Sequence, residues 1–162
     1  MPDTHRQPVI SRLAIRAARR QDLPVIVQLL ADDALGSSRE SPETPLPESY
    51  YMAFAAIEQD ANNELIVAEL DGAVAAVLQL TFIPCLTYRG SWRALIESVR
   101  VAATLRSQGI GQCLIEWSIA RARQKNCRMV QLTTNKVRAD AIRFYQRLGF
   151  VASHEGMKFF VS

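Results

Sequence analysis

The dipeptide Asp71-Gly72 separates two runs of strand-forming residues, ELIVAEL and AVAAVLQLTFI, and restricts the fold more than any other feature of the chain. Both central positions of a two-residue hairpin turn favour positive φ, which Asp and Gly tolerate, so an antiparallel pair is predicted over roughly residues 64–83. Just before it, ESYYMAFAAIEQ (48–59) has apolar residues at helical spacing and is stopped by ANN. A chain that passes from helical to strand period in this way calls for a sheet with helices packed on it.

The reading extends outward from that hairpin. Residues 13–16 form a first strand, and Asp22 caps a helix with Pro24 in its first turn and an apolar run over 25–30. Residues 35–47, rich in Ser, Pro and Glu, are a loop. Residues 94–101 (ALIESVRV) are a strand whose alternation sets Leu95, Glu97, Val99 and Val101 on one face and Ile96, Ser98 and Arg100 on the other. Gly109 opens a helix, 129–134 (MVQLTT) is a strand, 138–148 is a helix closed by Gly149, and 150–152 with 157–161 make a last hairpin-like pair. The order β-α-α-β-β-β-α-β-α-β-β defines a mixed α/β (α+β) fold, a largely antiparallel sheet carrying helices on its faces.

Composition narrows the class. With 162 residues, 49% of them hydrophobic, the chain suits one domain over 1–162 with a loose N-terminus of about 10 residues. The net charge of +3 is scattered along the chain, which argues against a nucleic-acid binder. Three cysteines without CxxC spacing, and no His cluster, indicate neither a disulfide framework nor a metal site, and a reducing cytoplasm fits. No leader-like segment and no long apolar run is present, so no membrane association is expected. His5 and His154 are expected in solvent, and Tyr88 and Trp92 beside Arg89 and Arg93 are a loop, a homodimer contact or a pocket wall.

The segment VRVAATLRSQGIGQCLIEW joins a strand to a glycine-punctuated helix start. Amides there lack intrahelical partners and sit at the positive end of the helix dipole, so they can cradle a phosphate, with Gly109 and Gly111 offering clearance. The string lacks the Lys-Ser/Thr of a nucleotide P-loop and the three-glycine spacing of a dinucleotide fold.

These residues resemble the GNAT superfamily of acetyl-CoA-dependent N-acetyltransferases over nearly the whole chain. Arg106, Gly109 and Gly111 after Val101 match its central motif, and Ala141, Phe144, Tyr145, Gly149 and Phe150 match its later one. The resemblance implies an acetyl-CoA site in which Val99 and Val101 offer backbone groups to the acetyl and pantetheine portions. The amides of Arg106, Ser107, Gln108, Gly109, Ile110, Gly111 and Gln112 would hold the pyrophosphate. It also implies a primary amine as acceptor, with a wall from 35–52 and 84–93, or else a CoA-binding sensor or interaction module that has lost transfer. Many members carry Asn where this chain has Arg138; Asn135 lies nearby, as a cofactor contact or a helix cap. Tyr145 is a core ring by its spacing and, by resemblance, the acid that protonates the leaving thiolate. Glu97 is the base for the amine or an ion-pair partner of Arg93 or Arg100.

Overall fold

A computed structural model describes residues 8–32 and 35–161. Asp71 (φ 51°) and Gly72 (φ 84°) form the expected turn between β2 (Asn63–Leu70) and β3 (Ala73–Pro84). β1 (Leu13–Ala17) pairs antiparallel with β2, β3 pairs antiparallel with β4 (Trp92–Val101), and β4 pairs parallel with β5 (Cys127–Leu132). The result is a five-stranded sheet in the order β1-β2-β3-β4-β5. Between β3 and β4 lies a single helical turn, α3 (Thr87–Gly90), in which Tyr88 and Arg89 take left-handed φ.

The two faces of the sheet are covered by different helices. Ile66, Leu78, Leu80, Phe82, Ala94 and Ile96 form a core with Ile110, Leu114 and Ile115 of α4 (Ile110–Gln124), and Phe144 and Tyr145 of α5 (Ala139–Arg147), with Leu148 at its C-cap, pack against it. On the other face, Val67 and Val77 meet Leu23, Ile26 and Val27 of α1 (Leu23–Ala31) and Phe54 of α2 (Glu48–Gln59). Period-2 alternation along β2 and β3 produces this division. None of the helices in the described residues is long and apolar enough to cross a membrane.

Three expectations change. Asp22 stands at the N-cap of α1, but its side chain makes no cap bond there. The preceding turn Arg20–Asp22 directs its carboxylate back to Arg16, which donates from Nη1 at 2.7 Å, and to the Arg19 N–H at 2.7 Å. The chain is held from Pro8 onward, because Val9–Arg12 form a 3-10 turn whose Ile10 faces Gly109; His5 lies outside the described residues. No strand forms within 150–161: Val151, Met157, Phe159, Phe160 and Val161 are exposed, and among the described residues β5 is paired only with β4. β-forming side chains report a propensity, and pairing needs a partner backbone as well.

Candidate functional site

The site begins with an irregularity in β4. Val77 pairs with Arg100 and Gln79 with Glu97, so Leu78 faces two residues, Ser98 and Val99. This is a β-bulge, and Ser98 carries it with φ 55°. Pairing of β4 with β5 ends at Ile96 and Leu132, immediately before the bulge, and beyond that point the two parallel strands have no ladder between them. A fork opens there.

The backbone on the β4 side of the fork is oriented by the ladder with β3. The Ala102 N–H bonds the Ala75 carbonyl, so by alternation the N–H and C=O of Val101 and Val99 point toward the fork. Arg100 Nη1 donates to the Val99 carbonyl at 2.8 Å, and Arg106 Nε donates to the Val101 carbonyl at 3.2 Å. Arg106 also bonds the Asp32 carboxylate at 3.1 Å, linking the motif loop to the end of α1. Its side chain is thus a brace, and its amide belongs to the loop.

That loop leads into the N-terminus of α4. Ser107 (φ 63°) and Gly109 (φ 83°) are left-handed, Gly109 is the N-cap residue, and the first helical bond runs from the Cys113 N–H to the Gly109 carbonyl. The N–H groups of Ile110, Gly111 and Gln112 have no backbone partner within the helix, and the helix dipole makes this end positive. Gln108 and Gln112 turn their side chains to the Thr104 carbonyl and Glu116, while the Ile110 side chain is buried in the core. A Cβ on Gly109 would lie 3.3 Å from Ile10, and one on Gly111 would lie 3.5 Å from Phe144 and 3.6 Å from Val101.

Tyr145 approaches from α5. Its ring stacks edge-on against Phe144 (5.1 Å) and Phe150 (5.8 Å). Burial pushes its hydroxyl above the ordinary tyrosine pKa, and the charges of Arg100 and Arg138 oppose that rise. The ring is therefore packed, as helical spacing implies, while its hydroxyl lies within the field of two cations. Asn135 accepts the Val137 N–H at 3.1 Å and so closes a turn just before α5. Arg138 is the N-cap residue of α5, and its N–H bonds the Asn135 carbonyl.

The bulge overturns the expected facing of Glu97. The extra residue shifts the alternation, so Val99 and Val101 pack with Ala94 and Ile96 on the α4 side, while Glu97 lies on the α1 side with Gln79 opposite. Glu97 is exposed and forms no ion pair with Arg93 or Arg100 among the described residues. Its neighbours escaped the sequence reading. Gln79 and Thr81 both bond Asn63 Oδ1, and with Arg93 they continue a polar floor beyond the apolar residues covered by α1 and α2. The register of the hairpin, carried across to β4, was the available signal.

A cavity of about 510 Å³ lies between α2, β2 and α4, lined by Phe54, Ile57, Asn63, Trp117 and the Glu64–Arg121 pair, and contains none of the site residues expected from the sequence. Among the described residues no group of three His, Cys, Asp or Glu side chains could hold a metal ion.

A five-stranded sheet forked beside a glycine-started helix defines a class, and the comparisons agree with it. The model of the Acetyltransferase (GNAT) family matches residues 26–150. Aminoalkylphosphonate N-acetyltransferase of Salmonella typhimurium is 32% identical over 107 residues, 66% of this chain and 69% of that protein. A crystal structure of a transcriptional regulator from Bacillus halodurans C-125 is 53% identical, with a TM-score of 0.90 over 92% of this chain and 99% of the other. A candidate acetyltransferase from Agrobacterium tumefaciens C58 is 28% identical, with a TM-score of 0.81 over 91% and 99% of the two chains. The chain belongs to the GNAT acetyltransferase family. It is a family whose members use acetyl-CoA.

Proposed function

We propose that the protein transfers the acetyl group of acetyl-CoA to a primary amine of a small molecule, directly within a ternary complex. The fork between β4 and β5 carries this reading, because beyond Ile96 and Leu132 no strand ladder takes up the backbone of Val99 and Val101, and the chain continues from there into the glycine-started N-terminus of α4. The residues fit the group: an extended amide-bearing arm can pair with a strand whose neighbour has diverged, and a pyrophosphate suits the amides from Ser107 to Gln112, whereas the Arg106 N–H is taken by the Ala103 carbonyl. Arg100 and Arg106 would then release the two carbonyls they now hold.

In this reading acetyl-CoA supplies the activated acyl group, and the chain does the rest. The Val101 N–H steadies charge developing on the acyl oxygen, Tyr145 donates its proton to the departing sulfur, and Glu97 takes a proton from the amine, directly or through water. Asn135 and Arg138, in the turn between β5 and α5, would contact the cofactor arm. The Salmonella relative, named for transfer to aminoalkylphosphonates, supports a small amine as acceptor. The deciding measurement is thiol release from acetyl-CoA with a panel of primary amines; no release above background with any amine, despite CoA binding, would reject transfer.

A second reading has its own support, since the Bacillus halodurans neighbour is described as a transcriptional regulator. On that reading the chain binds CoA and signals without transfer. The same assay separates the two.

A further inference from the structure

Arg93 stands in an unusual setting for a guanidinium. Its cross-strand neighbours are Ile83 on β3 and Met129 on β5, neither of which bears a charge. Its Nε is buried and makes no hydrogen bond, and no carboxylate of the described residues forms an ion pair with it. A buried donor that has given up water without a replacement is disfavoured, and native structures seldom leave one without a reason.

Its position supplies one. Arg93, Leu95 and Glu97 alternate along β4 onto the same face, together with Thr81 and Gln79 of β3. Four residues of strand separate the Cα atoms of Arg93 and Glu97 by about 13 Å. Two side chains of that length on one face can bracket a small molecule whose amine and second polar group are a few bonds apart. A planar guanidinium matches the paired oxygens of a carboxylate, phosphate or phosphonate.

We infer that the acceptor is an amine bearing an anionic group, and that Arg93 receives the anion while the amine is held beside Glu97. The inference rests on the proposed transfer and names the chemical class of its acceptor. It also makes Arg93 a specificity-determining residue: the anion fixes the molecule at one end, and the reacting nitrogen is presented at the other.

The test compares 2-aminoethylphosphonate and β-alanine with 2-aminoethanol, using acetyl-CoA and the full chain as wild type, Arg93→Gln and Arg93→Lys. The wild type should favour the anionic amines in kcat/KM, and Arg93→Gln should shrink that preference by roughly 10–100-fold, chiefly through KM, with partial recovery in Arg93→Lys. Comparing the two anionic amines tells phosphonate from carboxylate as the preferred partner. Wild-type indifference to the anion, or an equal loss of all three acceptors in Arg93→Gln, overturns the inference while leaving transfer intact. If no amine is acetylated, transfer itself fails, and calorimetric titration of 2-aminoethylphosphonate into the CoA complex still reads the site. Binding weakened at least tenfold by Arg93→Gln supports the inference; no wild-type binding overturns it.

Discussion

Tyr145 combines two roles that usually compete, a packed ring and a proton-bearing hydroxyl in the field of Arg100 and Arg138. Tyr145→Phe keeps the packing, so CoA affinity should hold while kcat falls by ~10²-fold if the hydroxyl is the acid. Single-turnover kinetics beside CoA titration check this, and an unchanged chemical step would remove the role. The sign of the pKa shift adds a second expectation. Burial raises the hydroxyl's value, so the protonated form persists to higher pH and the alkaline limb of kcat should lie above the ordinary tyrosine value of about 10. Phe should abolish that limb. The residues holding Tyr145 were readable because Ala141, Phe144 and Leu148 share its helical stripe. Glu97 was placed on the wrong face, since one left-handed residue, Ser98, resets the alternation and a serine announces no such change.

At the scale of elements, the bulge sets where β4 and β5 part. Deleting Ser98 should restore regular pairing of β4 with β3, leave Val99 as the one residue opposite Leu78, and let β4 run on beside β5 so that the fork narrows. The expected outcome is a folded protein by circular dichroism that binds CoA at least tenfold more weakly, measured by calorimetry. Unaltered affinity would show that the fork does not depend on the bulge. The β2–β3 turn gives a cleaner case of backbone conformation. Gly72 has φ 84° with no atom within 4 Å of an added Cβ, so Gly72→Ala should cost only the left-handed penalty, about 1–2 kcal/mol in urea unfolding. Asp71-Gly72 was legible because its turn is local chemistry. The missing strands of 150–161 were not, because pairing is decided by a distant backbone and apolar side chains alone leave it open. Asp22 is an intermediate case: its place at a helix start was legible, but its carboxylate goes to an arginine on a neighbouring strand.

Across the whole molecule, that Asp22–Arg16 contact ties α1 to β1, and Arg16 continues to Glu69 on β2. Arg16 lowers the Asp22 pKa, so the ion pair contributes stability above the unfolded carboxylate value near 4 and loses it as pH falls through the lower folded value. Asp22→Asn should therefore cost roughly 2–4 kcal/mol at neutral pH and progressively less in acid, as urea titrations at both pH values would show. Coenzyme acts on the same global equilibrium. CoA at a hundredfold excess over its Kd should stabilise the folded state by about 2.7 kcal/mol, a rise in Tm of about 5–10 °C by calorimetry, and no shift would refute the binding site. The fork gives that stabilisation a location. Within the sheet β5 is joined to the other strands through one short parallel ladder, Trp92 to Ile96 against Cys127 to Leu132, so the sheet contains a seam. Amides bordering it, those of Val99 and Val101, should exchange with deuterium far faster than their neighbours in β3. A ligand lying along the seam would slow them selectively, so the two halves of the sheet become one cooperative unit only when the coenzyme is in place.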